Sequence, residues 1–288
     1  MTAAAVSADA PAKLNLFLHV TGRRPDGYHL LDSLVAFTET GDRIIAEPAD
    51  SLRLSVTGPF AGALSGEADN LVLRAARLLS EEAGRAPDVA LTLEKNLPVA
   101  AGIGGGSADA AATLRALIRL WGLEMPADRL ADLGLRLGAD VPACLLGRPC
   151  RLKGIGEQLD PLPALPALPV LLVNPGVPLS TPDVFRARTG DFGAAAPVIL
   201  PEDPAALLDV LRAQRNDLTE AARTLVPQIG RVLDRLQALP GCLLARLSGS
   251  GPTCFALMRD VESAKAGAGI LRAAEPGWWV CATRLRPA

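Results

Sequence analysis

The chain has 288 residues, is 49% hydrophobic and carries a formal net charge of −2, so it holds enough apolar content for two domains or one large one. Acidic and basic residues are interspersed, which excludes the basic field of a nucleic-acid binder and the polybasic segment of a membrane-surface protein and favours a small-molecule partner. The five cysteines, Cys144, Cys150, Cys242, Cys254 and Cys281, form no CxxC pair, and the only histidines are His19 and His29. Neither a disulfide framework nor a structural zinc site is therefore expected, and the cysteines read as small buried apolar residues.

In chain order, the first ten residues, MTAAAVSADA, lack the basic start and apolar run of a signal peptide, and no later stretch is apolar for long enough to span a membrane. A soluble cytoplasmic protein is expected. Over residues 13–56, alternating apolar residues broken by Gly22, Gly27 and Gly41 predict several short strands. NLVLRAARLLSEEAG, from Asn70, predicts the first helix. Val89, Leu91 and Leu93 alternate with smaller or polar residues and predict a strand that Pro98 ends. After Ser107, read as an N-cap, Ala110, Leu114, Leu117, Ile118 and Trp121 recur at helical steps. Another helix is predicted over 127–137, with Gly138, Ala139 and Asp140 as a tight exit. The segment 161–182 is too proline-rich for a helix and contains one predicted strand, 170–173. A domain boundary is placed at its start, giving residues 1–160 and 161–288. FGAAAPVILPEDP, 192–204, reads as a mobile surface connection. Helices are predicted over 205–214 and 217–239, the second interrupted at Pro227, and CLLARLSGSGPTCFALM, from Cys242, reads as strand, glycine turn, strand. There is no internal repeat. Strands and helices in both halves, without βαβ alternation, predict an α+β protein whose mixed or antiparallel sheets are packed by helices.

Residues 97–114, LPVAAGIGGGSADAAATL, carry the strongest chemical signal. Gly102, Gly104, Gly105 and Gly106 lack a Cβ, so the backbone can take positive φ and turn its N–H groups toward one point, which phosphate oxygens would fill. The helix that follows aims its unpaired N–H groups and positive dipole end at the loop. No Gly-Lys-Ser or Gly-Lys-Thr closes it, which excludes the P-loop, and Ser107 and Asp109 fall where the last Rossmann glycine would sit. A protein-kinase glycine loop joins two strands, whereas this one enters a helix. A flexible turn before a core helix is the other reading.

Residues 98–112 resemble the phosphate-binding motif of the GHMP kinases, the superfamily of galactokinase, homoserine kinase, mevalonate kinase and phosphomevalonate kinase. PAKLNLFLHVTGRRPDGYHLL (11–31), LGADVPACL (137–145) and RLSGSGPTCFAL (246–257) resemble further motifs of its diphosphocytidyl-methylerythritol branch, in the same order. The resemblance implies a two-domain fold with the active site in the cleft between domains, ATP with Mg2+, and a small-molecule acceptor carrying a cytidine diphosphate group. It implies that Pro98, Val99, Ala100, Ala101, Gly102, Ile103, Gly104, Gly105, Gly106, Ser107 and Ala108 surround the nucleotide phosphates, with Asn70 and Lys95 beside the adenosine. Asp140 corresponds to the base that accepts the hydroxyl proton and Lys13 to its electrostatic partner, while Asn15 lies near the acceptor. Tyr28 and His29 correspond to a pair that holds the cytosine ring, Phe185 to an aromatic on its other face, and Thr181 to a residue lining the same pocket. Gly249, Ser250 and Gly251 match a hairpin that closes on the acceptor side.

Each of these residues also has a plainer reading. Lys13, flanked by Ala12, Leu14, Leu16 and Leu18, needs a partner or a cleft for its ammonium unless it guards a sheet edge. Asp140 before Val-Pro suits a turn, Asn15 and Asn70 suit caps or turns, Tyr28 and His29 a strand start, and Phe185 a core. One departure stands out: many relatives have Gly-Leu-Gly-Ser-Ser where this chain has Gly-Ile-Gly-Gly-Gly. Magnesium is then expected to be held chiefly by the nucleotide phosphates, with no protein metal site. Another small-molecule kinase of the superfamily, such as a homoserine or mevalonate kinase, and a non-catalytic nucleotide or metabolite sensor remain alternatives, and the oligomeric state, monomer or homodimer, stays open.

Overall fold

Alternating apolar residues near the start of the chain build two strands far longer than the glycine-broken pattern suggests. The computed structural model describes residues 5–64, 70–193, 201 and 203–287, so most of the connection expected at 192–204 lies outside the described residues. The elements are β1 (Val6–Arg23), β2 (His29–Pro48), β3 (Arg53–Thr57), α1 (Leu71–Glu82), β4 (Val89–Glu94), α2 (Gly105–Trp121), α3 (Ala127–Leu137), α4 (Val141–Leu146), β5 (Cys150–Gly154), β6 (Gln158–Pro161), β7 (Pro169–Asn174), α5 (Thr181–Ala187), α6 (Pro204–Arg212), α7 (Thr219–Leu225), α8 (Gln228–Gln237), β8 (Cys242–Leu247), β9 (Cys254–Met258), α9 (Val261–Ala274) and β10 (Trp279–Arg284). Of the three glycines expected to break the early strands, only Gly27 lies in a turn; Gly22 is inside β1 and Gly41 inside β2. Gly41 serves close approach, because a Cβ there would stand 2.4 Å from the Ala10 carbonyl oxygen.

The chain divides into two units. One gathers the N-terminal stretch to Ala12, Gly41–Val99 and Gly104–Gly147; the other gathers Lys13–Thr40, Ala100–Ile103 and the chain from Arg148. This partition divides the chain differently from the single cut expected at 160. β5 pairs with residues 31–35 of β2 and β6 pairs with β5, so the change falls before β5, where sheet hydrogen bonds begin to recruit an earlier segment, and not at the prolines.

In the first unit β4 pairs antiparallel with the end of β2, Ile44 opposite Leu93, and parallel with β3, Leu54 opposite Leu91. Val89, Leu91 and Leu93 of β4 are buried while their neighbours are half-buried, the period of a sheet with one face on the core. Helix α1 buries Val72, Ala75, Ala76 and Leu79 along one stripe. Helix α2 is buried on nearly all sides from Ala108 to Leu114, and its alanines let α1 and α4 pack closely on it.

The second unit contains a four-stranded antiparallel sheet in the order β10-β7-β9-β8. Its central strands β7 and β9 are almost wholly buried and read as unbroken apolar runs. Ile229, Val232 and Leu236 of α8 pack with Leu171, Val173 and Ala256 of the sheet. The helix predicted over 217–239 is broken as expected, into α7 and α8 around Pro227. Helices α4 and α5, of six and seven residues, are too short to show a period, and glycines dilute the apolar pattern of α9. Cys144, Cys150 and Cys254 are buried as expected, but Cys242 and Cys281 are only half-buried. Among the described residues no helix is long and apolar enough to cross a membrane.

Candidate active site

Beyond β4 the chain enters the glycine loop, where Ala100 (φ +51°), Gly102 (φ +71°) and Gly104 (φ +65°) alternate in the left-handed region. Such alternation turns successive N–H groups toward a common point. Ala100 is the one non-glycine with positive φ among the described residues, a strained conformation that marks the loop as held in place by its surroundings. The expected cap is corrected here: α2 starts at Gly105 with Gly104 as N-cap, and Ser107 lies inside the first turn. The left-handed Gly104 bends the chain into the helix without any side-chain cap, so the cap falls three residues earlier than expected. The first helical bond runs from the Ala108 N–H to the Gly104 carbonyl at 2.8 Å. The N–H groups of Gly105, Gly106 and Ser107 therefore have no acceptor within the helix and stand at its positive end.

Lys95 and Asn70 have structural duties near the loop. The Lys95 side chain is only 3% exposed, and its ammonium donates to Asp42 Oδ2 and Asp109 Oδ2, both at 2.6 Å. Burial lowers its pKa, but the two carboxylates outweigh that and leave it raised. Asn70 caps α1, its side chain accepting from the Val72 N–H at 2.8 Å.

In the second unit, loop residues meet the Gly-Ser-Gly turn. The Ser248 hydroxyl donates to the Gly102 carbonyl at 3.2 Å, the Thr253 N–H to the Ala101 carbonyl at 3.1 Å, and the Lys13 N–H to the Ile103 carbonyl at 2.9 Å. Lys13 is buried in β1. Its charge reaches Cys150, whose thiol is pushed up to about 11 by burial against the opposing pull of that ammonium. Asn15 donates to the Ser33 hydroxyl at 2.7 Å, and its Oδ1 is buried without a hydrogen-bond partner. Thr181 and Ser250 share a hydroxyl hydrogen bond of 2.7 Å.

Asp140 is half-buried and begins a helix rather than ending one: α3 stops at Leu137, and Asp140 is the N-cap of α4, with no side-chain capping bond. The signal that could have found α4 is Pro142 two residues later, because proline suits the first turn of a helix. Tyr28, at the tip of the β1–β2 hairpin, is 61% exposed. His29 stacks on Phe185 with centroids 4.8 Å apart and ring planes 22° apart, and Phe192 stands tilted 6.4 Å from the same imidazole. One face of the Phe185 ring is thus covered by His29. Burial, then Arg23 and Arg188, lowers the His29 pKa, which favours the neutral ring. Phe192, in the stretch read as a surface connection, is exposed and lies beside this stack.

The pattern "GHMP kinases N terminal domain" matches residues 70–148 and "GHMP kinases C terminal" matches residues 199–276. A 4-diphosphocytidyl-2-C-methyl-D-erythritol kinase of Rhodospirillum rubrum is 55% identical over 293 residues, covering 99% of this chain and 96% of the relative. One of Paramagnetospirillum magneticum is 53% identical over 280 residues, covering 97% and 98%. The crystal structure of a 4-(cytidine 5'-diphospho)-2C-methyl-D-erythritol kinase, 39% identical, superposes with a TM-score of 0.79 over 97% of this chain and 98% of the other. The chain accordingly belongs to the GHMP kinase superfamily, in its branch of 4-diphosphocytidyl-2-C-methyl-D-erythritol kinases.

Proposed function

We propose that this kinase transfers the γ-phosphate of ATP to the 2-hydroxyl of 4-diphosphocytidyl-2-C-methyl-D-erythritol, a step of the non-mevalonate route to isoprenoid precursors. The carrying observation is the glycine loop, whose alternating left-handed residues lead into three unpaired N–H groups at the start of α2. Phosphoryl transfer asks chiefly for positioning and charge neutralisation, and backbone amides at a helix start supply both. In this reading Asp140 takes the proton of the acceptor hydroxyl and Lys13 steadies the acceptor oxygen. Magnesium would come with ATP in this reading, since the loop has Gly105 and Gly106 where many relatives have serine. Bound with the nucleotide, it would supply positive charge to the phosphates.

The full-length relatives that carry this name support the acceptor, and so does the exposed Tyr28 ring next to the His29–Phe185 stack. The test is ADP release with the cytidine-linked polyol, the free polyol and homoserine. Turnover is expected with the first alone; turnover with homoserine and none with the cytidine-linked polyol would refute the reading. Tyr28→Ala is expected to raise the acceptor KM about tenfold, since base–aromatic stacking contributes about 1–3 kcal/mol. The KM for ATP should not move, and an unchanged acceptor KM would remove Tyr28 from the base site.

A further inference from the structure

We propose that Asp109 is a positioning residue for nucleotide binding, which acts with Asp42 to hold the Lys95 ammonium beneath Gly105 and so keeps the phosphate loop in its gripping shape. This rests on the reading of the loop as the ATP phosphate site. The three side chains are 0–4% exposed. A Cβ on Gly105 would lie 3.3 Å from Lys95 Nζ and 3.7 Å from Asp42 Oδ2, so the ion cluster sits directly under the first residue of α2. Asp42 Oδ1 also accepts from the Asn96 and Leu97 N–H groups, at 2.6 and 2.8 Å. The chain running into the loop is thereby tied to β2. Asp109, two residues beyond Ser107, ties the chain running out of the loop to the same ammonium.

A second carboxylate on one buried cation is the informative feature. Asp42 alone would neutralise Lys95, and burying another charge carries a desolvation penalty. Burial accordingly raises Asp109 to about 7, with Lys95 pulling it down and Asp42 pushing it up. Its Oδ1 is buried without a hydrogen-bond partner, so its grip on the cation runs through Oδ2. What Asp109 adds is a link between α2 and Lys95, one turn behind the N–H groups of Gly105, Gly106 and Ser107. The Lys95 ammonium is engaged by these two carboxylates below the loop.

The experiment is steady-state ADP release by the full chain, with ATP and the cytidine-linked acceptor varied separately. Asp109→Ala is expected to raise the KM for ATP about tenfold, the scale of one charge-assisted hydrogen bond. Asp109→Asn, which keeps an acceptor oxygen without the charge, is expected to raise it about threefold. The turnover number and the acceptor KM should stay within about twofold in both. An unchanged or lowered KM for ATP in a folded Asp109→Ala protein overturns the proposal, as do equal rises in both KM values. If Asp109→Ala does not fold, Asp109→Asn decides by the same readout. A wild type that releases no ADP would overturn the functional reading itself, whereas an ATP-saturable wild type with unaffected variants overturns only the role of Asp109.

Discussion

Asp140→Asn is expected to lower kcat by about 10²- to 10⁴-fold, the usual contribution of a general base. The substitution keeps size and shape but removes the negative charge, and with it the capacity to take a proton. Asparagine keeps the side chain's shape and one of its acceptor oxygens at the start of α4, so the variant is expected to unfold in a single cooperative transition like the wild type, which a thermal melt checks. The amides proposed to hold the nucleotide belong to the loop and the first turn of α2, so ATP affinity measured by calorimetry should be nearly intact. Turnover in the variant equal to wild type would show that the hydroxyl proton leaves by another route.

Gly102→Ala is the second large effect. Gly102 has φ +71°, and a Cβ there would stand 2.3 Å from the Gly251 carbonyl oxygen and 2.8 Å from its carbonyl carbon and nitrogen. Backbone atoms cannot swing aside as a side-chain tip can, so either the loop or the Gly-Ser-Gly turn must move. The variant is expected to unfold about 2–3 kcal/mol more easily in denaturant and to lose at least about 10²-fold in kcat/KM, since misplaced groups forfeit alignment. Gly106→Ala provides the contrast. Gly106 is exposed, its φ is not positive, and the nearest atom to an added Cβ is the flexible tip of Leu71 at 3.3 Å. That protein should fold like wild type and yet, if the phosphates bind as proposed, bind ATP more weakly, because the methyl would enter their space. Equal stability of both variants would show that the turn yields to the added methyl.

Several site residues could be read from the sequence in kind but not in role. Lys13 in an apolar strand and the glycine run before an alanine-rich helix both break local expectation, and the structure puts Lys13 in β1 and the glycine run directly before α2. Lys95 broke no local pattern, because a lysine after a strand is ordinary; its two carboxylates come from β2 and α2. Phe192 belonged to a stretch whose composition suggested a surface connection, and its relation to His29 arises from the return of the chain after α5.

By itself the sequence determined what depends on neighbours a few residues apart: the helix stripes, the break at Pro227, the positive-φ capacity of the loop, and the motifs that mark the superfamily. Only the tertiary structure decided which glycines turn the chain and which let strands touch. It alone showed that His29 covers Phe185, that Asp140 starts a helix, and that one buried ammonium joins both ends of the glycine loop. The physical reason is range. Backbone preference and hydrophobic period are set within one or two turns, whereas the partner of a buried charge and the space around a missing Cβ are set by segments that meet only when the sheets close.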